Sequence, residues 1–443
     1  AEVNVDTLNE LVSLEEVEQV HEDFIIQAPK PESENIGTLQ TNAWGLDKIR
    51  APQVWAMGDN GDGSRVAVLD TGVSISHPDL TGKMLTDNAE DPTYPGGWIE
   101  FDDLGSRVLS STPHDTDDHG THTSGTVLGD NTSGTAIGVA PGAKLMHALV
   151  LPYGSGSFSQ VIAGMQWAVS PVNQYGNPAG QKAHVVSMSF GAYGYYDTLI
   201  EPIRNMAANG VVPVAAIGND YYGSSDSPGN VYDAFGIGAT DSSDVIASFS
   251  SGETVYKAWW SSPPSDWPNS YIKPDFSAPG VSVYSSIPGG SWASYSGTSM
   301  ATPHVAGTVA LMLKANPSLT VSDVYQILQG TAVDLGTAGK DDRYGYGRID
   351  AYDAVTMAQT WGGTVIKGYV RDVSTLAGIR GATVTIVEKS VTGITDENGF
   401  YTMSSSPGNY TLRASAYGYR DNVSGVTVTE NQAVTVDFLL SSS

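Results

Sequence analysis

The chain has 443 residues, room for about three domains at ~150 residues each, and 40% of them are hydrophobic, ample for a sizeable core. It contains no cysteine, which excludes disulfides, thiol catalysis and cysteine-bound zinc. Only 21 lysines and arginines stand against 48 acids; the net charge of -27 argues against nucleic acid and anionic membrane as partners, and no apolar run nears the ~18 residues of a membrane span.

From the amino end, Val5 to Val17 carries apolar residues at helical spacing, and Val17 to Ala28 then alternates toward a strand. The polar, proline-bearing stretch Pro29 to Thr38 reads as a linker. Arg65-Val-Ala-Val-Leu69 reads as a buried parallel strand that delivers Asp70 to its carboxyl end, where open α/β sheets place their ligands. Ser299 follows Gly297-Thr298 and precedes a helix of small residues, Met300 to Leu313, whose positive end lies near it. Leu319 to Gln329 is helix-like, Tyr344 to Asp350 closes this core, and Trp361-Gly-Gly-Thr364 makes a short joint. Beyond it the period changes to short alternating strands over 365–371, 382–388, 400–403, 410–416 and 433–439, which predicts a small antiparallel β-sandwich with Asp396-Glu397-Asn398-Gly399 as a hairpin turn.

Three stretches carry chemistry. Val66-Ala-Val-Leu-Asp-Thr-Gly72, Asp118-His-Gly-Thr-His-Thr-Ser-Gly125 and Gly297-Thr-Ser-Met-Ala-Thr-Pro-His-Val-Ala-Gly307 set Asp70, His119 and Ser299 in that chain order. A serine hydroxyl is a poor nucleophile near neutral pH and needs a base within hydrogen-bond reach; histidine suits both taking that proton and handing it to a leaving amine. The imidazole in turn needs a buried carboxylate to hold its tautomer and stabilise its cation. His122, His77 and His304 read as packing or hydrogen-bonded residues.

On these signatures, residues from about 39 to 360 resemble the catalytic domain of a subtilisin-like serine protease, or subtilase. The resemblance implies an α/β fold of three layers with a mostly parallel central sheet, and a serine endopeptidase working through an acyl-enzyme. It implies that Val211-Val-Pro-Val-Ala-Ala-Ile-Gly-Asn-Asp220 carries the oxyanion-hole amide on Asn219, with the Ser299 backbone amide as second donor. Gly154, Ser155 and Gly156, followed by Phe158, and Ser189, Phe190 and Gly191 are then the strands on either side of an extended substrate. Ala216, Ile217 and Gly218 wall its primary pocket. Counting back from Pro228-Gly229 puts Asp226 at the pocket base, where a carboxylate favours lysine or arginine. The same aspartate also reads as the cap of an exposed Ser-Ser-Asp-Ser loop, and Phe190 as a wall suited to large apolar side chains.

The resemblance further implies a structural calcium ion at Gln40, Asp79 and the loop 130–136, through Asp130, Thr132, Gly134 and Ala136; all-oxygen ligation suits Ca2+. Thr132 stands where the family has an asparagine. Other acidic pieces, Asp87 to Asp91, Asp115 to Asp118 and Asp341-Asp342, read as solvated loops. Residues 1–38 resemble the end of a subtilase propeptide, which implies a zymogen whose tail inhibits by lying in its own cleft until it is cut near Thr38. Residues 364–443, on Gly381-Ala-Thr-Val-Thr-Ile, Thr395-Asp-Glu-Asn-Gly-Phe-Tyr401 and Gly408-Asn-Tyr-Thr-Leu, resemble a carboxypeptidase regulatory-like domain, without chemistry of its own. The aromatic insert Tyr256 to Tyr271 packs either on that domain or on the catalytic one.

Two rival classes fit less well. A binding-only relative is expected to lack one of Asp70, His119 and Ser299, all present, and a metal hydrolase on His119 and His122 lacks the His-Glu-x-x-His spacing of a zinc helix. The chain starts at Ala1 without a charged, apolar leader, and its composition fits an exported enzyme. The expectation is a secreted monomer acting on proteins and peptides, with no membrane or nucleic-acid partner.

Overall fold

Seven short apolar runs form one sheet: β1 (Arg65–Asp70), β2 (Trp98–Glu100), β3 (Lys144–Leu149), β4 (Val185–Met188), β5 (Val212–Ala216), β6 (Phe235–Thr240) and β7 (Phe276–Pro279). The order across the sheet is β7-β6-β5-β4-β1-β3-β2, and every neighbouring pair is parallel. This is a computed structural model, which describes residues 14, 17, 20–28, 32–34, 40–361, 365–389, 391–405, 407–429 and 433–442, with only the backbone of 32–34 and 404. The helix expected over 5–17, the cut near Thr38 and the joint after Trp361 lie largely outside these residues.

Strand alternation divides the sheet between two cores. Val66 and Val68 pack on one face with Val127 of helix α1 (His119–Leu128), and Ala67 and Leu69 on the other with Phe158 and Val161 of α2 (Phe158–Val169) and Ile203 of α3 (Ile200–Ala208). Helix α4 (Thr298–Ala315) joins α1 on the first face through Val305 and Val309. A sheet covered on both faces is the expected three-layer arrangement, and it explains why the strands read as unbroken apolar runs. Strand β1 lies between β4 and β3, so the chain departs from it in both directions and opens a crevice at the carboxyl ends of the strands. Asp70 ends β1 at that crevice.

Helices α5 (Val321–Thr331) and α6 (Ala351–Thr360) close this domain. Beneath α5, the buried Asp275 accepts from Lys273 Nζ at 2.6 Å, Lys340 Nζ at 2.7 Å, Tyr325 Oη at 2.8 Å and Gly236 N at 2.8 Å. Two ammonium groups supply the counter-charge that a carboxylate out of water requires.

The carboxyl-terminal domain is the expected sandwich. One sheet holds Val365–Asp372, Phe400–Ser404, Val434–Thr435 and Phe438–Leu440; the other holds Thr383–Ile386, Val391–Ile394, Gly408–Ser415 and Asn422–Val428. Pairing is antiparallel except that the last two short strands run parallel to Val365–Asp372. Sequence alternation missed 391–394 and 422–428, which glycines at 393 and 425 interrupt. Asp396 Oδ1 accepts from Asn398 N and Phe400 N, and Gly399 has φ +75°, as the expected turn requires. The aromatic insert packs on the catalytic domain, with Trp260 and Trp267 buried beside Tyr195, Tyr232 and Tyr271. Its Ser265 carbonyl also accepts from Arg380 of the sandwich.

Candidate active site

Helix α1 begins at His119 and rides on the turn that follows Asp70. A Cβ on Gly120 would lie 2.1 Å from Gly72 O, so the approach needs a glycine. His119 Nδ1 is thereby 2.7 Å from Asp70 Oδ1. Asp70 is fully buried and also accepts from Thr71 N at 2.8 Å and Thr123 Oγ1 at 3.0 Å, which fix its rotation. Burial opposes a charged imidazole, but the charge and hydrogen bond of Asp70 outweigh it and hold His119 above its ordinary 6.5. On the far side of the ring, Nε2 is buried with no hydrogen-bond partner among the described residues.

Ser299 stands in the first turn of α4. Its Oγ donates to Ser189 O at 2.9 Å, and Ser189 Oγ donates back to Ser299 O at 2.8 Å. The helix leaves that second carbonyl open because Pro303, one turn on, has no N–H to offer it. In this arrangement the hydroxyl is turned to Ser189 and makes no hydrogen bond to His119. Tyr295 ties the two segments together: its Oη donates to Asp118 Oδ2 at 2.6 Å and its ring stacks on His122 at 4.5 Å. His122, His77 and His304 bond main-chain groups of Val283, Ser291 and Met300, in keeping with the packing roles read for them.

Asn219 Oδ1 accepts from Thr298 N and from Thr298 Oγ1, each at 2.9 Å. Two donors fix which end of the amide is oxygen and leave Nδ2 to donate. That nitrogen lies 3.5 Å from where a Cβ on Gly297 would sit, beside the start of α4, whose first N–H groups have no partner within the helix.

The chain's own residues lie in the groove beside these groups. Ile25–Gln27 pairs antiparallel with 155–157: Ile25 faces Ser157, Ile26 faces Gly156 and Gln27 faces Ser155. Gln27 N donates to Gly191 O at 3.3 Å, Gly191 N to Gln27 O at 3.1 Å, and Ala28 N to Gly154 O at 3.0 Å. The residues expected to flank a substrate thus hold an extended strand between them. Phe158 N donates to Phe24 O at 2.9 Å, and Ile26, Phe158 and Phe190 share one buried apolar cluster. Further on, the backbone of Glu32–Glu34 pairs with Ser294–Ser296, the strand that leads into Ser299.

Ala216 and Ile217 are buried at the end of β5, and Gly218 has φ +115°. A Cβ on Gly191 would lie 2.6 Å from Asp226 Cβ, and one on Gly218 2.6 Å from Asp226 Cγ, so the carboxyl sits between two bare glycines. Asp226 is only 8% exposed, which removes the reading of an exposed loop cap. Its Oδ1 has no partner among the described residues. Burial, and next the charge of Asp220, push this carboxyl up to about 8.

The acidic run before His119 is not a solvated loop. Asp115 accepts from Thr71 Oγ1 at 2.8 Å and from Thr121 N at 2.9 Å, and burial pushes it up to about 6. Asp117 Oδ1 accepts from Asp118 N at 2.8 Å, while Oδ2 lies 3.9 Å from the Cβ position of Gly154. Closeness in sequence to His119 was the signal for both, masked by the resemblance of a charge run to a surface turn. Asp341 likewise builds a turn, accepting from Arg343 N, Tyr344 N and Thr337 N.

The residues expected around calcium do meet. Asp130 N donates to Asp79 O at 3.0 Å, Thr132 N to Asp79 Oδ1 at 2.6 Å, and Thr135 Oγ1 to Gln40 O at 2.5 Å; Ala136 N reaches Thr41 O at 2.9 Å, and Gly134 has φ +89°. Asp130 Oδ1 is paired with Lys83 Nζ at 2.6 Å, and the Asp130 main-chain oxygen accepts from Ile137 N at 3.2 Å. One buried carboxylate with loop carbonyls and a hydroxyl is the oxygen chemistry a hard dication takes, but here Asp79 Oδ1 accepts from Thr132 N and Oγ1 and Oδ2 from Trp292 Nε1 at 2.7 Å, bonds that a bound cation has to displace. Among the described residues no three His, Asp or Glu side chains converge on a metal.

Residues 61–347 match the model of the Subtilase family, and residues 365–441 that of the Carboxypeptidase regulatory-like domain. The chain is 36% identical over 328 residues to Bacillopeptidase F of Bacillus subtilis (strain 168), covering 71% of this chain and 22% of that protein. It is 34% identical over 362 residues to the Alkaline protease of Shouchella clausii, covering 79% and 82% of the two chains. With Subtilisin Savinase of Lederbergia lenta the identity is 36% over 315 residues, covering 70% and 98%. Sheet order, crevice and these matches lead to one conclusion: the chain belongs to the subtilase family and is a serine endopeptidase.

Proposed function

We propose that Ser299 is the nucleophile, His119 the base and Asp70 its orienting carboxylate, in a secreted enzyme made as a self-processing zymogen. The observation that carries this reading is the 2.7 Å bond of His119 Nδ1 to buried Asp70 with Nε2 left unpaired. An antiparallel ladder that continues the Gln27 to Gly191 register puts the substrate residue two places on opposite Ser189. Its amide N–H competes for the Ser189 carbonyl, which releases Ser299 Oγ to turn toward Nε2. The Oγ–C bond then forms as the hydroxyl proton passes to Nε2, and the oxyanion accepts from Asn219 Nδ2 and Ser299 N. Collapse breaks the C–N bond while Nε2 returns the proton to the amine; water repeats the sequence on the acyl-enzyme and frees the acid and Ser299.

Residues up to about 38 act as the inhibitory propeptide, supported by the strand Ile25–Gln27 in the groove. Residues 39–360 then form the catalytic domain and 364–443 a stabilising or substrate-adhesion domain, in a monomer that acts on protein and peptide substrates. Among the described residues no helix is long and apolar enough to cross a membrane. Calcium, when bound at Gln40, Asp79, Thr132 and the carbonyls of Asp130, Gly134 and Ala136, supplies a cross-link between the loop and the start of the catalytic domain.

Asp226 gives the primary pocket a basic preference. The carboxyl is neutral below about 8 and charged above it, whereas a lysine side chain stays cationic to ~10.4, so selectivity for lysine or arginine over phenylalanine rises as pH passes through about 8. Matched peptide anilides ending in Arg, Lys, Phe and Leu test this, and the basic pair is expected to lead by on the order of 100-fold at pH 9. Equal rates for the four at pH 9 would remove Asp226 from this role, and no cleavage of any would count against the peptidase reading itself.

A further inference from the structure

A second concave site lies where the catalytic domain meets the sandwich. A cavity of about 1010 Å3 is walled on the catalytic side by five aromatic side chains, Tyr232, Phe235, Tyr271, Tyr325 and Tyr346, and on the other side by Thr392, Gly393, Ile394 and Thr402 of the sandwich. Such a volume is at the upper end of the ~300–1,000 Å3 range of ligand sites. Phe235 enters β6 and Asp275 stands just before β7, so the cavity lies at the amino ends of these strands, the edge of the sheet opposite the crevice that holds Asp70.

Gln326 of α5 lines the cavity and is 7% exposed; its Nε2 donates to Ser322 Oγ at 3.0 Å, while Oε1 is buried with no hydrogen-bond partner among the described residues. A buried acceptor without a donor is costly, so a ligand that brings an N–H or O–H is favoured here. The sandwich adds main-chain groups. Among the described strands, Val391–Ile394 is an outer strand of one sheet and Phe400–Ser404 of the other, and the two edges lie together, with Thr402 O 3.4 Å from the Cβ position of Gly393. The free side of an outer strand presents N–H and C=O groups ready to pair with another chain. Charge narrows the choice. The two carboxylates of the wall, Asp233 and Asp275, are balanced by two ammonium groups, Lys340 in the wall and Lys273, which bonds Asp275 at 2.6 Å, so the cavity suits a ligand without net charge.

From these observations we propose that the domain junction is a second peptide-binding site: an uncharged, extended segment of a protein substrate pairs with the sandwich edge, gives an N–H to Gln326 Oε1 and lays apolar side chains on the aromatic wall. Main-chain pairing of this kind accepts many sequences, and the pocket beside it adds preference. The inference rests on the endopeptidase reading above for its ligand class. Because the site is separate from the crevice, it can be filled while the cleft is blocked.

The test uses the full Ser299→Ala chain, whose cleft is held by its own Ile25–Gln27. The probe is an uncharged peptide of tyrosine and threonine with blocked ends, about ten residues long, the length of a long strand, and binding is read by titration calorimetry. Saturable binding with a Kd below about 1 mM is expected. Adding Gln326→Leu is expected to weaken it about fivefold, and Gln326→Glu, which keeps an acceptor, to retain it. On the Ser299→Ala chain without a second substitution, methylating alternate main-chain nitrogens of the peptide is expected to weaken binding about tenfold, a result that does not depend on how the Gln326 variants fold. No saturable binding to about 1 mM, or binding indifferent to Gln326→Leu or to N-methylation, overturns the proposal. A site that takes a neutral sugar, maltotriose, and refuses the peptide overturns it as well. No turnover is involved, so absent binding strikes this site alone, while hydrolysis of the peptide anilides decides the peptidase reading separately.

Discussion

Replacing Ser299 by alanine is expected to lower kcat by about 10^6-fold, a scale carried over from subtilisin, a relative, where the equivalent loss has that size. The fold should survive the change. Ser299 is buried, and among the described residues its side chain makes one hydrogen bond, to Ser189 O. Losing that donor costs about 1 kcal/mol, a small part of a typical domain's stability. The variant should therefore give a native circular dichroism spectrum and melting temperature within a few degrees of the parent, and should keep its amino-terminal segment attached while the parent sheds it. Amino-terminal sequencing of both chains after incubation with calcium checks the last point, and the spectrum and melting curve check the other two. A Ser299→Ala chain that still cuts itself would show that the nucleophile lies elsewhere.

Asp70→Asn is expected to cost about 10^4-fold, by the scale of other triad proteases. An asparagine turned to donate toward Nδ1 stabilises the wrong tautomer, with the proton on the nitrogen that must accept one. The pH profile carries a second signature. His119 is held above 6.5 because Asp70 outweighs the effect of burial. The base works only when neutral, so kcat/KM of the parent should rise with pH through an inflection above 6.5. Without the Asp70 charge, only the smaller effects of Asp115 and Asp117 oppose burial, and the inflection should move to lower pH. A profile that keeps its inflection would mean that another group controls it.

Much of this site was legible from the sequence because its residues sit in long local patterns. An apolar run that stops at Asp70, a helix of small residues after Ser299 and a strand ending near Asn219 each announce a position at the carboxyl edge of a parallel sheet. What stayed hidden depends on contacts between distant segments. The parking of Ser299 Oγ on Ser189 O spans 110 residues, and its companion bond, from Ser189 Oγ to Ser299 O, uses the helix carbonyl that Pro303 leaves open. Asp226 looked equally like a loop cap because its burial depends on contact with Gly191, in a separate segment of the chain, as well as with nearby Gly218. Asp115 and Asp117 share their charge pattern with surface turns, and only folding against Thr71, Thr121 and Gly154 sets them apart. In the sandwich, alternation found Val365–Asp372 even though Gly368 interrupts its buried face, and left out 391–394 and 422–428.

The most direct test of the central claim, that His119 activates Ser299 once the hydroxyl leaves Ser189, is covalent labelling of the self-processed enzyme with a serine-directed phosphonate over a range of pH, followed by peptide mapping. One adduct per chain on Ser299 is expected, forming at a rate that rises with the same inflection as peptide cleavage. Full cleavage activity with Ser299 unlabelled, or labelling there at a rate indifferent to pH, would contradict it.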